Sequence, residues 1–169
     1  DQPRSRGLGD VYKRQIMAGG DEEAFNSSLQ VLNLYSKYSK RMGDSGTGQL
    51  TKMVNQICIA GLIQALAEGM HFSEKAGLNT QEVIEVISRG AAQSWQMDNR
   101  WETMLADYYE HGFAVDWMRK DLGFVLEESV VNGSNLEITN LIDSFYAEVQ
   151  QGGGGRWDTS SLFRRLNSQ

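Results

Sequence analysis

Gly46-Thr47-Gly48-Gln49-Leu50-Thr51-Lys52-Met53-Val54-Asn55-Gln56 leads directly into an uncharged, mostly apolar segment, Ile57 to Ala67. A lysine at the mouth of an apolar helix, followed one turn later by two side-chain amides, is where chemistry is to be sought. Spacings of three and four put Asn55 and Gln56 on the helical face that carries Lys52, within reach of one small polar ligand. The glycines ahead of it let backbone approach backbone, or a ligand, closely. Leu50, Met53, Val54 and Ile57 make the surroundings apolar, which predicts an amine partly withdrawn from water. Desolvation lowers a lysine pKa from about 10.4 toward neutrality, where the group both gives and takes a proton.

From Gly46 onward apolar residues fall at helical spacing to the end of the chain. The pattern predicts a long helix from about 48 to 75, closed by Ala76-Gly77. Thr80, with Gln81-Glu82 behind it, reads as the N-cap of a helix over 80–89. Further helices are expected at 94–107, 114–132 and 136–150, with Gly133 stopping the second of these. Gly152-Gly153-Gly154-Gly155 reads as a flexible joint, and Asp158-Thr159-Ser160-Ser161 as the cap of a last helix reaching about Asn167.

Upstream, Ile16-Met17-Ala18-Gly19-Gly20 resembles a strand that ends in a glycine turn. Asp21-Glu22-Glu23 opens a helix with acids where its dipole favours them. A second short helix is expected over 29–38 and a strand or turn at 40–43. Residues 1–15 are polar and basic without an apolar period, and are taken as an extraneous or disordered leader. The predicted fold class is therefore all-α: a helical domain over 46–169, preceded by a small strand-helix-strand remnant at 16–45.

The composition is that of an ordinary globular domain, with 169 residues, 40% hydrophobic, 22% charged and a single proline. A net charge of −6 and a pI near 4.9 argue against a nucleic-acid partner, which needs a basic surface. The single cysteine, Cys58, is expected to be a buried small hydrophobe, and the lack of a disulfide framework points to a reducing, cytoplasmic compartment. Gln56, Gln64 and Glu68 interrupt the best apolar stretch, so no membrane span or membrane partner is expected.

Competing motifs fail on spacing. A Walker loop needs lysine directly after its last glycine, and a dinucleotide fingerprint would need glycine at Thr51. His71 and His111 have no Cys or paired carboxylates at ligand spacing, so no metal site is expected. No Ser-His-Asp or Cys-His grouping with a nucleophile elbow is present. Arg119-Lys120-Asp121, taken by itself, reads as an exposed charge cluster, and Trp95, Trp101, Trp117 and Trp157 read as core or interface anchors.

Four blocks in order carry a resemblance: Met17-Ala18-Gly19-Gly20-Asp21-Glu22-Glu23-Ala24-Phe25, then Gly46 to Gln56, then Phe113 through Lys120-Asp121-Leu122, then Trp157-Asp158-Thr159-Ser160. Over residues 16–167 the chain resembles the C-terminal part of the β-hydroxyacid dehydrogenases, the family of 3-hydroxyisobutyrate dehydrogenase and tartronate semialdehyde reductase. The resemblance implies a helical domain of the 6-phosphogluconate dehydrogenase-like type, the end of a Rossmann domain ahead of it, and NAD or NADP as cofactor. It implies Lys52 as the catalytic lysine and Asn55 as the amide that holds substrate and lysine. Gln56 stands where many members carry a second Asn. Phe113 and Asp121 resemble positions that line the substrate pocket, Lys120 one that contacts the cofactor, and Gly46 and Gly48 positions that shape the hinge between domains.

The implied reaction interconverts a 3-hydroxy acid and its 3-oxo acid (semialdehyde), and the implied assembly is a homo-oligomer, dimer or tetramer. The family's glycine-rich nucleotide fingerprint and its carboxylate-gripping loop have no counterpart in these residues. A truncated piece of an enzyme, inactive alone, is therefore expected. The alternative is a non-catalytic helical dimerisation module, which would have no need of a lysine flanked by two amides.

Overall fold

The computed structural model describes residues 14–167. Residues 1–13 of the expected leader lie outside this range, and its last residue, Gln15, already begins a strand. The chain divides into two compact units, 1–56 and 57–169. The division falls within one long helix.

The first unit is a strand-helix-strand arrangement followed by the start of that helix. β1 (Gln15–Gly19) and β2 (Tyr38–Gly43) pair in parallel, with Gln15 opposite Tyr38 and Ala18 opposite Arg41, and a register shift then sets Gly19 against Gly43. Between them runs α1 (Glu22–Tyr35), capped by the Asp21 carboxylate, which accepts from the Ala24 amide at 2.8 Å. One helix stands where two were expected. Asn26-Ser27-Ser28, the polar run between the expected pieces, is absorbed because the Ser27 and Ser28 hydroxyls donate back to the Ala24 carbonyl at 2.9 and 2.8 Å.

α2 (Thr47–Lys75) starts on a glycine turn. Gly46 has φ +95°, and a Cβ on Gly48 would press on the backbone of Met17, Ala18 and Gly19. Glycine at 48 is thus the condition for the helix to begin against β1. By length and composition α2 is apolar enough to cross a membrane. One of its faces is instead buried in the second unit, through Ala60, Ile63, Ala67 and Met70.

The second unit continues with α3 (Thr80–Ile87), α4 (Trp95–Leu105), α5 (Val115–Asn132), α6 (Glu137–Val149), a π-helical segment at Gln150–Gly154, a 3-10 turn at Thr159–Ser161 and α7 (Leu162–Asn167). Its core joins Ile63 and Met70 of α2 to Ile84, Met104, Met118, Leu122, Ile142, Tyr146 and Leu162. Gly133, in the left-handed region at φ +76°, ends α5 as expected.

Three expectations are corrected here. The cap of α3 is Asn79, whose Oδ1 accepts from the Glu82 amide, and Thr80 is instead buried, donating to Ser73 Oγ at 3.0 Å. Cys58 is exposed, because only one side of the apolar run faces the core and residue 58 lies on the other. The glycines at 152–155 are not a solvated linker: the backbone leaves helical geometry in a kink at Gly153, with φ +87°, and Gly154 is buried.

The glycine segment also starts α5. That helix has no side-chain cap, and its first amides are taken by main-chain carbonyls, Val115 N donating to Trp157 O and Asp116 N to Gly155 O, both at 2.9 Å.

Tyr146 of α6 is fully buried, and its burial, with the Asp158 charge behind it, holds the hydroxyl well above its ordinary pKa. Burial, with Asp107 reinforcing it, also raises Tyr109. The unfolded chain releases these protons near pH 10 while the fold retains them, so stability falls as pH rises above about 10. Tyr146→Phe should stay within about 1 kcal/mol of wild type at neutral pH. Its alkaline loss should be shallower, with Tyr109 still contributing. Urea denaturation at neutral pH and at about pH 10.5 checks this, and an alkaline loss equal to wild type would contradict it.

Candidate active site

Lys52, Asn55 and Gln56 occupy successive turns at the start of α2, and the structure brings their polar ends together. Lys52 Nζ donates to Gln56 Oε1 at 2.8 Å, and Asn55 Nδ2 donates to the same oxygen at 2.9 Å. Gln56 is only 2% exposed and Asn55 is half-buried, so the shared acceptor is held on a fixed base. One carboxamide oxygen therefore orients both the ammonium and the neighbouring amide.

The expected withdrawal of Lys52 from water is not found: the residue is exposed in this chain. Of the neighbours that prompted the expectation, Leu50, Met53 and Val54 sit one or two positions along the helix, about 100° and 200° away around its axis, and Ile57 five positions along, about 140° away, so their hydropathy says little about the lysine's own face. Leu50 and Val54 are themselves exposed. The residues sharing that face at three and four positions are the two amides.

Phe113, Lys120 and Asp121 belong to the second unit. Lys120 and Asp121 lie in α5, with Nζ 3.8 Å from Asp121 Oδ1 and 5.6 and 6.0 Å from the Trp117 and Phe124 ring centroids. The Lys120 side chain is more than half exposed, whereas the Asp121 side chain is largely covered. Arg119 departs from the expected exposed cluster. It pairs with Asp143 of α6 at 3.2 Å and donates to Gln150 Oε1 at 2.5 Å, tying α5 to the π-helical segment.

Phe113 sits in the turn before α5, 36% exposed, and its amide donates to Asp158 Oδ2 at 2.8 Å. Asp158 does cap the last helical segment, as its Asp-Thr-Ser pattern predicts, since its Oδ1 accepts from the Ser160 amide at 3.0 Å. Its contact with Phe113, 45 residues away, leaves no local signal in the sequence. Arg100, 3.1 Å from the same carboxylate, is likewise not marked by any motif. Among the described residues no three His, Cys, Asp or Glu side chains gather as metal ligands do.

A family model described as the NAD-binding domain of NADP-dependent 3-hydroxyisobutyrate dehydrogenase matches residues 46–166, from the glycine turn ahead of Lys52 to the end of α7. The chain belongs to this family. Among its relatives, an uncharacterised oxidoreductase of Shewanella frigidimarina is 58% identical over 151 residues, 89% of this chain and 52% of that protein. The 2-hydroxy-3-oxopropionate reductase of Escherichia coli is 30% identical over 151 residues, again 89% of this chain and 52% of that protein. In fold the chain is similar to a Mycobacterium tuberculosis 3-hydroxyisobutyrate dehydrogenase, with TM-score 0.84 and 24% identity over 92% of this chain and 56% of that one. The chain thus spans about half the length of the curated relatives it matches.

Proposed function

We propose that this chain supplies the lysine-bearing helical part of an NAD(P)-dependent dehydrogenase that interconverts a 3-hydroxy acid and its 3-oxo acid, with Lys52 as general acid and base. The observation that carries the reading is the Lys52–Gln56–Asn55 cluster, set within the segment that defines the family. Residues 46–169 are read as the helical domain of the 3-hydroxyisobutyrate dehydrogenase type. Residues 16–45 are read as the end of a Rossmann domain, in keeping with a parallel strand pair and a helix, α1, that buries no residue. Parallel sheets belong to α/β folds with both faces covered. The chain alone would not turn over substrate. Its single cysteine, with no disulfide partner in the chain, fits a cytoplasmic enzyme.

The nicotinamide, when bound, accepts or supplies the hydride at the hydroxyl-bearing carbon. The chain's own residues manage the proton. In reduction, the Lys52 ammonium gives a proton to the oxygen as negative charge develops there, and its positive charge stabilises the oxygen until transfer is complete. In oxidation the neutral amine takes the hydroxyl proton. Gln56, by accepting from Nζ, limits the lysine to rotamers that hold the amine beside the two carboxamides, and Asn55 places a second amide there for the substrate. Phe113 and Asp121 are read as pocket walls. Lys120, an accessible cation between two aromatic rings, has the chemistry to meet an anionic, aromatic dinucleotide.

The second reading, a non-catalytic dimerisation module, draws on a different observation. An apolar cavity of about 190 Å³ lies between α2, α3 and α4, lined by Leu62, Ala65, Gly69, Val83 and Ile87. Phe72 and Val86 also lie exposed on these helices, at 71% and 72%. Such a face suits self-association into a dimer or tetramer, which a dehydrogenase also accommodates. Turnover separates the two. The full-length protein, given small 3-oxo acids with NADH or NADPH, should oxidise the cofactor at roughly 1–10³ s⁻¹, followed by nicotinamide absorbance. A full-length protein that oligomerises yet shows no substrate-dependent loss of NADH or NADPH would favour the module.

A further inference from the structure

Asp158 is completely buried, and the atoms around it form one fastening. Its Oδ2 accepts from the Phe113 amide at 2.8 Å, and its Oδ1 accepts from the Ser160 amide at 3.0 Å and the Ser160 hydroxyl at 2.6 Å. Arg100 Nε of α4 lies 3.1 Å from Oδ1, and His111 Nδ1 lies 4.0 Å from Oδ2. The main chain repeats the connection, with Asp158 N donating to Tyr109 O at 2.8 Å and Thr159 N to Phe113 O at 2.9 Å. Gly112 packs so tightly on the carboxylate that a Cβ there would overlap it.

The Phe113 peptide groups are therefore held from both sides, its amide by a buried carboxylate and its carbonyl by the next residue's amide. A helix cap alone does not require this, because an exposed neutral Asn or Ser caps as well. Burying a carboxylate is costly even when it is paired, and the cost is offset only where every acceptor site is used. Here Oδ1 is used locally on Ser160, while Oδ2 is used on a segment 45 residues distant.

We propose that Asp158, supported by Arg100, is a positioning residue that sets the direction in which Phe113 presents its ring to the 3-hydroxy acid. The proposal rests on the dehydrogenase reading, in which Phe113 walls the substrate pocket. It assigns Asp158 no contact with substrate or cofactor.

The test uses the full-length protein carrying Asp158→Asn, with amide hydrogen exchange at Phe113 read beside steady-state kinetics. Exchange at Phe113 should quicken by about tenfold or more, and KM for the 3-oxo acid should rise by about tenfold, with kcat and the KM for NAD(P)H within about threefold of wild type. In a Phe113→Ala background the Asp158 change should add nothing to KM, since the ring that Asp158 positions is then gone. A purely structural role would instead lower kcat and raise both KM values together. Should Asp158→Asn not fold, Arg100→Gln should raise the 3-oxo acid KM by about threefold with the same split. Unchanged Phe113 exchange, or faster exchange with unchanged 3-oxo acid KM, would overturn the proposal. A wild-type protein without turnover on any 3-oxo acid would overturn the dehydrogenase reading itself, which is a separate result.

Discussion

Lys52→Ala in the full-length protein should lower kcat by about 10²–10⁴-fold, the usual worth of a positioned general acid or base. Both kcat and kcat/KM should fall together, because the lost interaction belongs to the transition state. Affinity for NAD(P)H should hold, since no cofactor contact is assigned to this residue. The fold should hold as well: Lys52 is exposed, and Gln56 Oε1 keeps the Asn55 amide as donor when the ammonium is gone. Its stability should remain within about 0.5 kcal/mol of wild type, which separates a chemical defect from a folding one. Unchanged turnover in this variant would remove the lysine from the mechanism.

Gly154→Ala should destabilise the second unit by about 3 kcal/mol, the upper end of what overpacking costs. A methyl group at this buried position would run into the six-membered ring of the Trp157 indole and into Val149 Cγ1. Neither neighbour yields readily. Val149 belongs to the core, and Trp157 packs against it with the Arg164 guanidinium 4.6 Å from its ring centroid. Moving Trp157 also disturbs the carbonyl that receives the Val115 amide, and with it the start of α5. The melting temperature should drop by roughly 6–12 °C. Gly152→Ala is the control, for a Cβ there meets nothing within 4 Å and should change stability by no more than about 0.5 kcal/mol. Equal melting temperatures for wild type and Gly154→Ala would show that the glycine segment is as loose as its composition implies.

The helices were legible because their apolar period is strong, and α2 begins within a residue of the expected place because Gly46 and Gly48 mark it. The Lys52 cluster was legible for a related reason, since a spacing of four along a helix is itself a contact. What the sequence left obscure depends on which side of a helix faces protein. The exposure of Lys52 and Cys58 illustrates this: Cys58 lies in the apolar run but off its buried face, whereas Lys52 is in line with Gln56, Ala60, Ile63 and Met70 but precedes the point where that face becomes buried. The glycines at 152–155 mislead in another way. Four in a row have little order of their own, and the order comes from Trp157 and from the amides of Val115 and Asp116. Asp158 shows the same limit at longer range, because a cap is a local pattern while a bond to Phe113 is a property of the fold.

The most direct test returns an amine to a position from which it has been taken. In a Cys58→Ala background, which removes the exposed native thiol, Lys52→Cys is treated with 2-bromoethylamine to give a side chain that again ends in an amine near the original Nζ. Lys52→Cys should be as inactive as Lys52→Ala, and alkylation should restore activity to at least about a tenth of the parent rate, as expected when a general acid or base is replaced at nearly the same place. An alkylated protein that stays at the Lys52→Cys rate, or a Lys52→Cys protein already at the parent rate, would contradict the assignment of proton transfer to this amine.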